Sequence, residues 1–341
     1  MEQLQLYIPN LTKMFWLTAL SFVIALIWTP LFTDFLYKNK LGKRIRKTGL
    51  DEKKTPIFYK YHKDKENTPT MGGLLVWVTA AVITVLFNLS RSGTWLPLFA
   101  LVASGIIGAI DDLLNIRGIG PNRGGLAFKY KIFLYLFIAI VGAWWFYSKL
   151  GWDVFHLPGF GDISFGLWYI PVFIFVIVGL GFSVNETDGL DGLAGGTLAI
   201  SYAAYGLIAL AEGKIALAAF CGTICGALLA FLWFNIYPAR FFMGDTGSMA
   251  LGTTLGVIAF LTNAVAVLPI IGFVFVIEAL SVVIQIFSKK FFHKKVFLSS
   301  PIHHHLEALG WHESKITMRF WVISAVTAVI GVMIALIGRG A

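Results

Sequence analysis

The aspartates of this chain are spaced in ways that suit a hard cation. Asp111 and Asp112 are adjacent in GAIDDLLNIRG, residues 108–118, where an apolar run ends. Two carboxylates at such a boundary can attract Mg2+, which takes one or two protein carboxylates when phosphates and water complete its shell. The plainer reading is a solvated helix stop. Asn185, Asp188 and Asp191 follow at intervals of three in VNETDGLDGLAGG, residues 184–196. On a helix that interval puts them roughly on one face, and the glycines among them permit close backbone approach. The spacing is not that of an EF-hand loop, and a polar hairpin between two spans is the competing reading. Asp245 sits in FMGDTGSMALG, at a turn entering an apolar helix. Thr246 or Ser248 could cap that helix, so its amides would face anions. Asp245 could be only an N-cap; as a further carboxylate beside the others it is the best single metal candidate. Just upstream, Asn235 and Phe242 could hold a planar base, by amide hydrogen bonding and by stacking.

The basic partners are Lys65, Arg123, Lys129 and Lys131. Singly each reads as an interfacial anchor; together they could balance a substrate with more than one phosphate. Three adjacent histidines, His303, His304 and His305, stand in PIHHHLEALGW, residues 301–311. A purification tag is excluded, since a whole apolar span follows them. Zinc suits them poorly, because adjacent side chains diverge and no Cys or H-x-x-x-H partner is near. Anion binding or proton handling remains, and Lys289, Lys290, Lys294 and Lys295 add positive field before them. Cys221 and Cys225, four apart in an apolar run, read as small buried residues rather than a disulfide or metal pair.

The elements that must position these groups are apolar helices. The chain has 341 residues, 57% hydrophobic and 13% charged, against about 25% charged in soluble domains. Runs of about 20 apolar residues recur, the length of a membrane crossing. We read an all-α, polytopic membrane protein with about ten transmembrane helices, near 14–36, 71–90, 94–110, 131–148, 167–183, 193–210, 216–237, 249–263, 267–288 and 320–338. With the N- and C-termini on the extracytoplasmic side, the cytoplasmic loops are 37–70, 111–130, 184–192, 238–248 and 289–319. That orientation leaves only Lys13, Arg91, Lys149, Lys214 and Arg339 of the 27 basic residues elsewhere, as the positive-inside rule requires. The net charge of +9 is therefore a membrane signal and gives no reason to expect nucleic acid. Residues 1–341 read as a single integral membrane domain whose cytoplasmic loops form one active-site face.

Taken together, IDDLLN, NETDGLDGLAGG, FLWFNIYPARFFMGDTGSMALG, PIHHHLEALGW and the earlier NTPTMGGLL resemble the bacterial phospho-N-acetylmuramoyl-pentapeptide transferase family, of the polyprenyl-phosphate N-acetylhexosamine-1-phosphate transferase superfamily. The likeness runs from about residue 38 to the final span, and five blocks in order on one membrane face make it specific. It implies a Mg2+-dependent phosphoglycosyl transferase of the bacterial cytoplasmic (inner) membrane, with its active site facing the cytoplasm. Its donor would be UDP-MurNAc-pentapeptide and its acceptor undecaprenyl phosphate, giving lipid I and UMP in peptidoglycan synthesis. Membrane lipid and a second copy of the chain are further candidate partners.

Carried over by motif, Asp111 and Asp112 match the family's aspartate pair, with Asp111 activating the lipid phosphate, and Asp245 matches its metal-binding aspartate. Lys131 matches a catalytic-site lysine, and Asn185 with Asp188 matches an NxxD pair. Lys65 and Asp191 resemble residues near the uridine, Phe242 the residue stacking on the base, and His303, His304 and His305 a histidine triplet at the diphosphate or sugar end. Two departures stand out: Asn115 where the family usually has a lysine, and Asn67 where it often has a glycine. The alternatives are a transferase using UDP-N-acetylglucosamine and, from another class, a secondary transporter. The physical expectation common to the enzyme readings is one pocket that gathers Asp111, Asp112, Asp188 and Asp245.

Overall fold

In lipid, a backbone must satisfy its own N–H and C=O groups, so apolar runs of this kind resolve into helices. The computed structural model describes residues 2–42, 65, 67–121 and 125–338. Arg123 and most of the expected 37–70 loop lie outside the described residues. In chain order the helices are α1 (Glu2–Lys38), α2 (Gly73–Phe87), α3 (Trp95–Arg117), α4 (Phe128–Trp144), α5 (Tyr169–Thr187), α6 (Leu193–Ala211) and α7 (Ile215–Asn235). They continue with α8 (Asp245–Leu261), the short α9 (Leu268–Ile271), α10 (Phe273–Phe291), α11 (Ile302–Ala308) and α12 (Glu313–Ile337). One antiparallel hairpin, β1 (Val154–Leu157) with β2 (Gly161–Ser164), pairs Val154 with Ser164. His156 ties this hairpin to the far end of α8 through Asn263, 3.1 Å from its backbone nitrogen.

The axis of the bundle is α8. Every residue from Thr246 to Leu261 is buried, and the helix packs against α2, α3 and α5. Close approach comes from small residues, the usual device where helices gain little from hydrophobicity alone. A Cβ on Gly73 of α2 would run into the backbone of Gly247, and one on Gly108 of α3 into the carbonyl of Asp245. These two contacts seat the first turn of α8 against both neighbours. Along the rest of α8 the hydroxyls of Thr253, Thr254 and Thr262 bond back to carbonyls four residues earlier. These three hydroxyls, the last of them at the C-cap, are thereby satisfied locally, whereas that of Thr246 bonds the Gly105 carbonyl of α3.

Among the described residues, seven helices are long and apolar enough to cross a membrane, or up to eight if a bent pair counts as one. That is fewer than the ten expected. Two of the expected spans are apolar helices of only 15 and 17 residues, α2 and α8. The expected 267–288 span is broken at Gly272, where the chain bends by 81° between Val265–Ile271 and Phe273–Phe291. Beyond that bend, α10 is turned in an unusual way. Glu278, Ser281, Gln285 and Ser288 form its buried stripe, while Leu280, Val283, Phe287 and Phe291 are exposed. Its polar side faces protein and its apolar side faces outward.

A convergent cluster at one end of the bundle

Four helix ends meet where the aspartates lie: the C-terminal ends of α3 and α5, and the N-terminal ends of α4 and α8. Lys131, on the first turn of α4, places its Nζ 2.5 Å from Asp111 Oδ2 and 2.5 Å from Asp245 Oδ2. Asn185, in the last turn of α5, donates from Nδ2 to Asp245 Oδ1 at 2.9 Å and to Ser248 Oγ at 2.9 Å. Asp111 is fixed from its other side by the amide of Leu126, 2.6 Å from Oδ1. Exposure separates the members: Asp245 keeps 19% and Lys131 13%, against 4% for Asp111. Asp245 and Lys131 are therefore more open to solvent than Asp111.

Asp112 and Asp188 hold backbone at the start of α8. Asp112 accepts from the amides of Asp245 (3.2 Å) and Thr246 (3.1 Å), so a carboxylate from α3 caps the N-terminus of α8. Such a charge at a helix N-terminus satisfies orphan amides and complements the helix dipole. Asp188 accepts from the amide of Gly244 at 3.0 Å, bracing the turn just before.

A second cluster grows from the same turn. Lys65 reaches Asp191 Oδ1 at 2.7 Å and Glu313 Oε1 at 2.5 Å, with its Nζ 5.7 Å from the ring centre of Phe242. Burial opposes the Lys65 charge, but Glu313 and Asp191 outweigh it and hold the pKa above the ordinary lysine value. The other oxygen of Asp191 accepts from the amide of Ala239 at 2.9 Å. Asn235, expected to offer its amide to a base, is buried and uses both ends inside the protein. It accepts from the Gly192 amide at 3.0 Å and donates to the Phe241 carbonyl at 2.8 Å. That function is to lock the 188–192 turn to the end of α7. Glu313, at the start of α12, was missed by sequence reasoning, because an acid in a helix's first turn reads as a dipole partner and nothing more.

The histidines divide three ways. His303 is fully buried on α11 with Nδ1 2.9 Å from Glu278 Oε2 of α10. His304 pairs with Glu307 at 2.6 Å, and its ring lies 4.0 Å from that of His303. His305 accepts the Leu298 amide at 3.2 Å and supports the preceding loop. Burial works to lower the His303 pKa, but Glu278, helped by Glu307 and Glu186, raises it above the ordinary value on balance. A raised folded pKa contributes stability that is complete below the unfolded value of about 6.5. That stability is lost as pH rises through the folded value. The thermal midpoint of the detergent-solubilised protein should therefore fall as pH rises past neutrality, and Glu278→Gln should flatten the fall. Identical pH profiles for the two proteins would dismiss the coupling.

Gly189 joins this pair to the aspartates. Its α-carbon lies against the His303 ring, so a Cβ there would overlap Nε2. Overpacking of this kind costs about 1–3 kcal/mol, and a ring displaced by an ångström can cost about a hundredfold in rate. Gly189→Ala is expected to lower the thermal midpoint and to reduce turnover tenfold or more. Gly179→Ala, on α5 with nothing within 4 Å of the added methyl, is the matched control. Equal behaviour of the two variants would remove His303 from the site. The short stretch from Asn185 to Gly192 thus touches all three clusters.

The donors present suit a hard cation in type. Asp111 and Asp245 each set a carboxylate oxygen 2.5 Å from the same positive centre, the Lys131 ammonium. No group of three or more His, Cys, Asp and Glu side chains shaped for a metal occurs among the described residues. Mg2+ does not need one, because substrate phosphates and waters supply most of its octahedral shell. Of these two carboxylates Asp245 is the more exposed, so it is the one more open to a cation from solvent.

Comparison with known proteins gives this cluster a context. The family model for Glycosyl transferase family 4 matches residues 94–263. A phospho-N-acetylmuramoyl-pentapeptide-transferase of Chloroflexus aggregans is 40% identical over 97% of this chain and 91% of its own length. A protein of the same name from Geobacillus thermodenitrificans is 41% identical over 93% of this chain and 96% of its own. Another from Clostridium perfringens is 40% identical over 90% and 94%.

Proposed function

The chain belongs to the phospho-N-acetylmuramoyl-pentapeptide-transferase family, and from that premise we infer that the cluster around Asp245 is where its reaction takes place. The enzyme transfers phospho-MurNAc-pentapeptide from UDP-MurNAc-pentapeptide to undecaprenyl phosphate, giving lipid I and UMP in peptidoglycan synthesis. The observation that carries the assignment of the site is the meeting of Asp111, Lys131, Asp245 and Asn185 at one point.

An oxygen of the acceptor phosphate attacks the phosphorus attached to the sugar, and the bond from that phosphorus to the UMP oxygen breaks. The second pKa of a phosphate monoester is about 6, so the acceptor is already largely dianionic at neutral pH. Positioning then matters more than proton removal. Asp111 orients the acceptor and takes any remaining proton. Lys131 pairs with phosphate oxygens as charge gathers on them, as a preset cation should. Asn185 holds the Asp245 carboxylate in one rotamer. When bound, Mg2+ neutralises charge on the UMP leaving group, and Asp245 is the residue that would hold it. Lys65, Asp191 and Phe242 form the uridine end, with Phe242 offering a ring and Lys65 a donor. We assign the triplet of His303, supported by Glu278, His304, supported by Glu307, and His305 to the diphosphate or sugar end.

The bias of Lys and Arg supports a site on the cytoplasmic side, and the multi-span architecture supports the bacterial inner membrane. Counting α2, α8 and the bent α9–α10 pair as crossings would give ten, an even number that puts both termini on one side, and the bias of Lys and Arg favours the extracytoplasmic one. The whole chain then works as one membrane domain. The deciding assay is formation of lipid-linked product by purified protein from UDP-MurNAc-pentapeptide and undecaprenyl phosphate. We expect product only with Mg2+, and none from UDP-N-acetylglucosamine. Comparable turnover with that second donor, or without a divalent ion, would overturn the reading.

A further inference from the structure

We propose that residues 287–298 form a built surface for the headgroups of anionic phospholipids, joined mechanically to the histidine segment. The outward face of α10 carries Leu280, Val283 and Phe287, all at least half exposed, and it ends in Phe291 and Phe292, 59% and 64% exposed. Lys290, Lys294 and Lys295 are exposed at the same end. Lys290 lies two residues, about 200° of helical turn, from the buried stripe at Ser288, so it points outward. No carboxylate occurs between Glu278 and Glu307. Apolar side chains, then rings, then ammonium groups is the order of acyl chain, interface and headgroup.

This is not a loose run of charge. Gln285, buried on the inner stripe, accepts from the amides of Val296 and Phe297, each at 3.0 Å, and donates to the Phe297 carbonyl at 2.9 Å. Ser288 donates to the Lys294 carbonyl at 2.9 Å. The basic segment is folded back and fixed on α10. Its far end is fixed as well, since Leu298 donates to His305 and the ring of Phe297 lies 5.6 Å from that of His305. Two turns along the same stripe, Glu278 holds His303. Headgroups that order the lysines therefore order the loop that leads into the histidine helix. An acidic protein or a nucleic acid would leave the exposed phenylalanines uncovered, whereas a lipid leaflet covers both kinds of group.

Near an anionic leaflet each basic side chain favours association about fivefold. Replacing Lys290, Lys294 and Lys295 together by Gln should cut the preference for phosphatidylglycerol over phosphatidylcholine tenfold or more. The preference is read by native mass spectrometry on lipids retained from mixed vesicles. Gln285→Leu keeps every lysine but frees the segment, and should also weaken the preference. In vesicles of phosphatidylcholine alone the triple variant should turn over like wild type. Adding phosphatidylglycerol should then accelerate only the wild type. Undiminished phosphatidylglycerol retention by the triple variant would overturn the proposal, and full retention by Gln285→Leu would reduce the surface to an unstructured charge run. A raised KM for the polyprenyl phosphate in pure phosphatidylcholine would assign the lysines to the acceptor instead. The retention measurement involves no substrate and stands apart from the proposed reaction; only the rate measurement rests on it.

Discussion

Asp245→Ala is expected to lower UMP release by about 10³-fold or more while the protein keeps its fold. The two halves of that expectation have separate causes. The backbone at this position is held by groups other than its own side chain: Asp112 accepts from its amide, and Asp188 accepts from Gly244 just before it. The side chain itself bonds Lys131 and Asn185. In the proposed reaction its removal takes away the carboxylate assigned to the cation, while the Lys131 pair with Asp111 remains. The measurement is UMP released at saturating donor across a Mg2+ titration, with the thermal midpoint recorded on the same preparation. Asp245→Asn separates charge from shape. It keeps an oxygen where Asn185 can reach it, yet should be nearly as inactive, because a neutral amide is a weak ligand for a hard divalent ion. Near-wild-type turnover in either variant would remove Asp245 from the cation's shell.

How far the sequence discloses this site follows from where each residue sits. Asp111, Asp112, Asp188 and Asp245 were legible because each ends or begins an apolar run, and a charge at that depth needs a reason. Their convergence follows from helix direction: α3 and α5 end where α4 and α8 begin. The division of labour between Asp111 and Asp112 was not legible. Neighbours on a helix differ by about 100°, so one faces the amides of α8 and the other faces Lys131, and only the rotation of α3 decides which. Glu313 and Lys65 are separated by 248 positions, and no local pattern links them. The partners of Asn235 were hidden for a related reason. An amide at a helix end looks free in sequence, but here it joins the Gly192 turn to Phe241. The helical architecture was legible in apolar runs, whereas lengths were not. Composition extends past the turn residues that end α2 at Phe87, and it runs straight through the bend at Gly272.

The capping arrangement gives Asp112 a prediction that a reacting carboxylate would not share. Asp112→Ala leaves the amides of Asp245 and Thr246 without their acceptor in a buried turn, at about 1–3 kcal/mol for each. The first turn of α8 should then loosen, carrying Asp245 away from Lys131 and Asn185. A displacement of about 1 Å at a reacting centre can cost about a hundredfold, so kcat should fall by that order while KM for the donor changes little. Because Asp245 is displaced rather than deleted, the Mg2+ concentration giving half-maximal rate should rise, and the thermal midpoint should drop with it. Asp112→Asn retains one acceptor oxygen but turns an NH2 toward the second amide and loses the favourable charge at the helix N-terminus. It should therefore fall between wild type and Asp112→Ala on all three measures. Asp111→Asn supplies the contrast, with turnover lost and the Mg2+ dependence of any residual rate unmoved. An Asp112→Ala protein that kept the wild-type midpoint and Mg2+ response but lost all turnover would make Asp112 a group that touches the reacting phosphates. The capping bonds would then be incidental to catalysis.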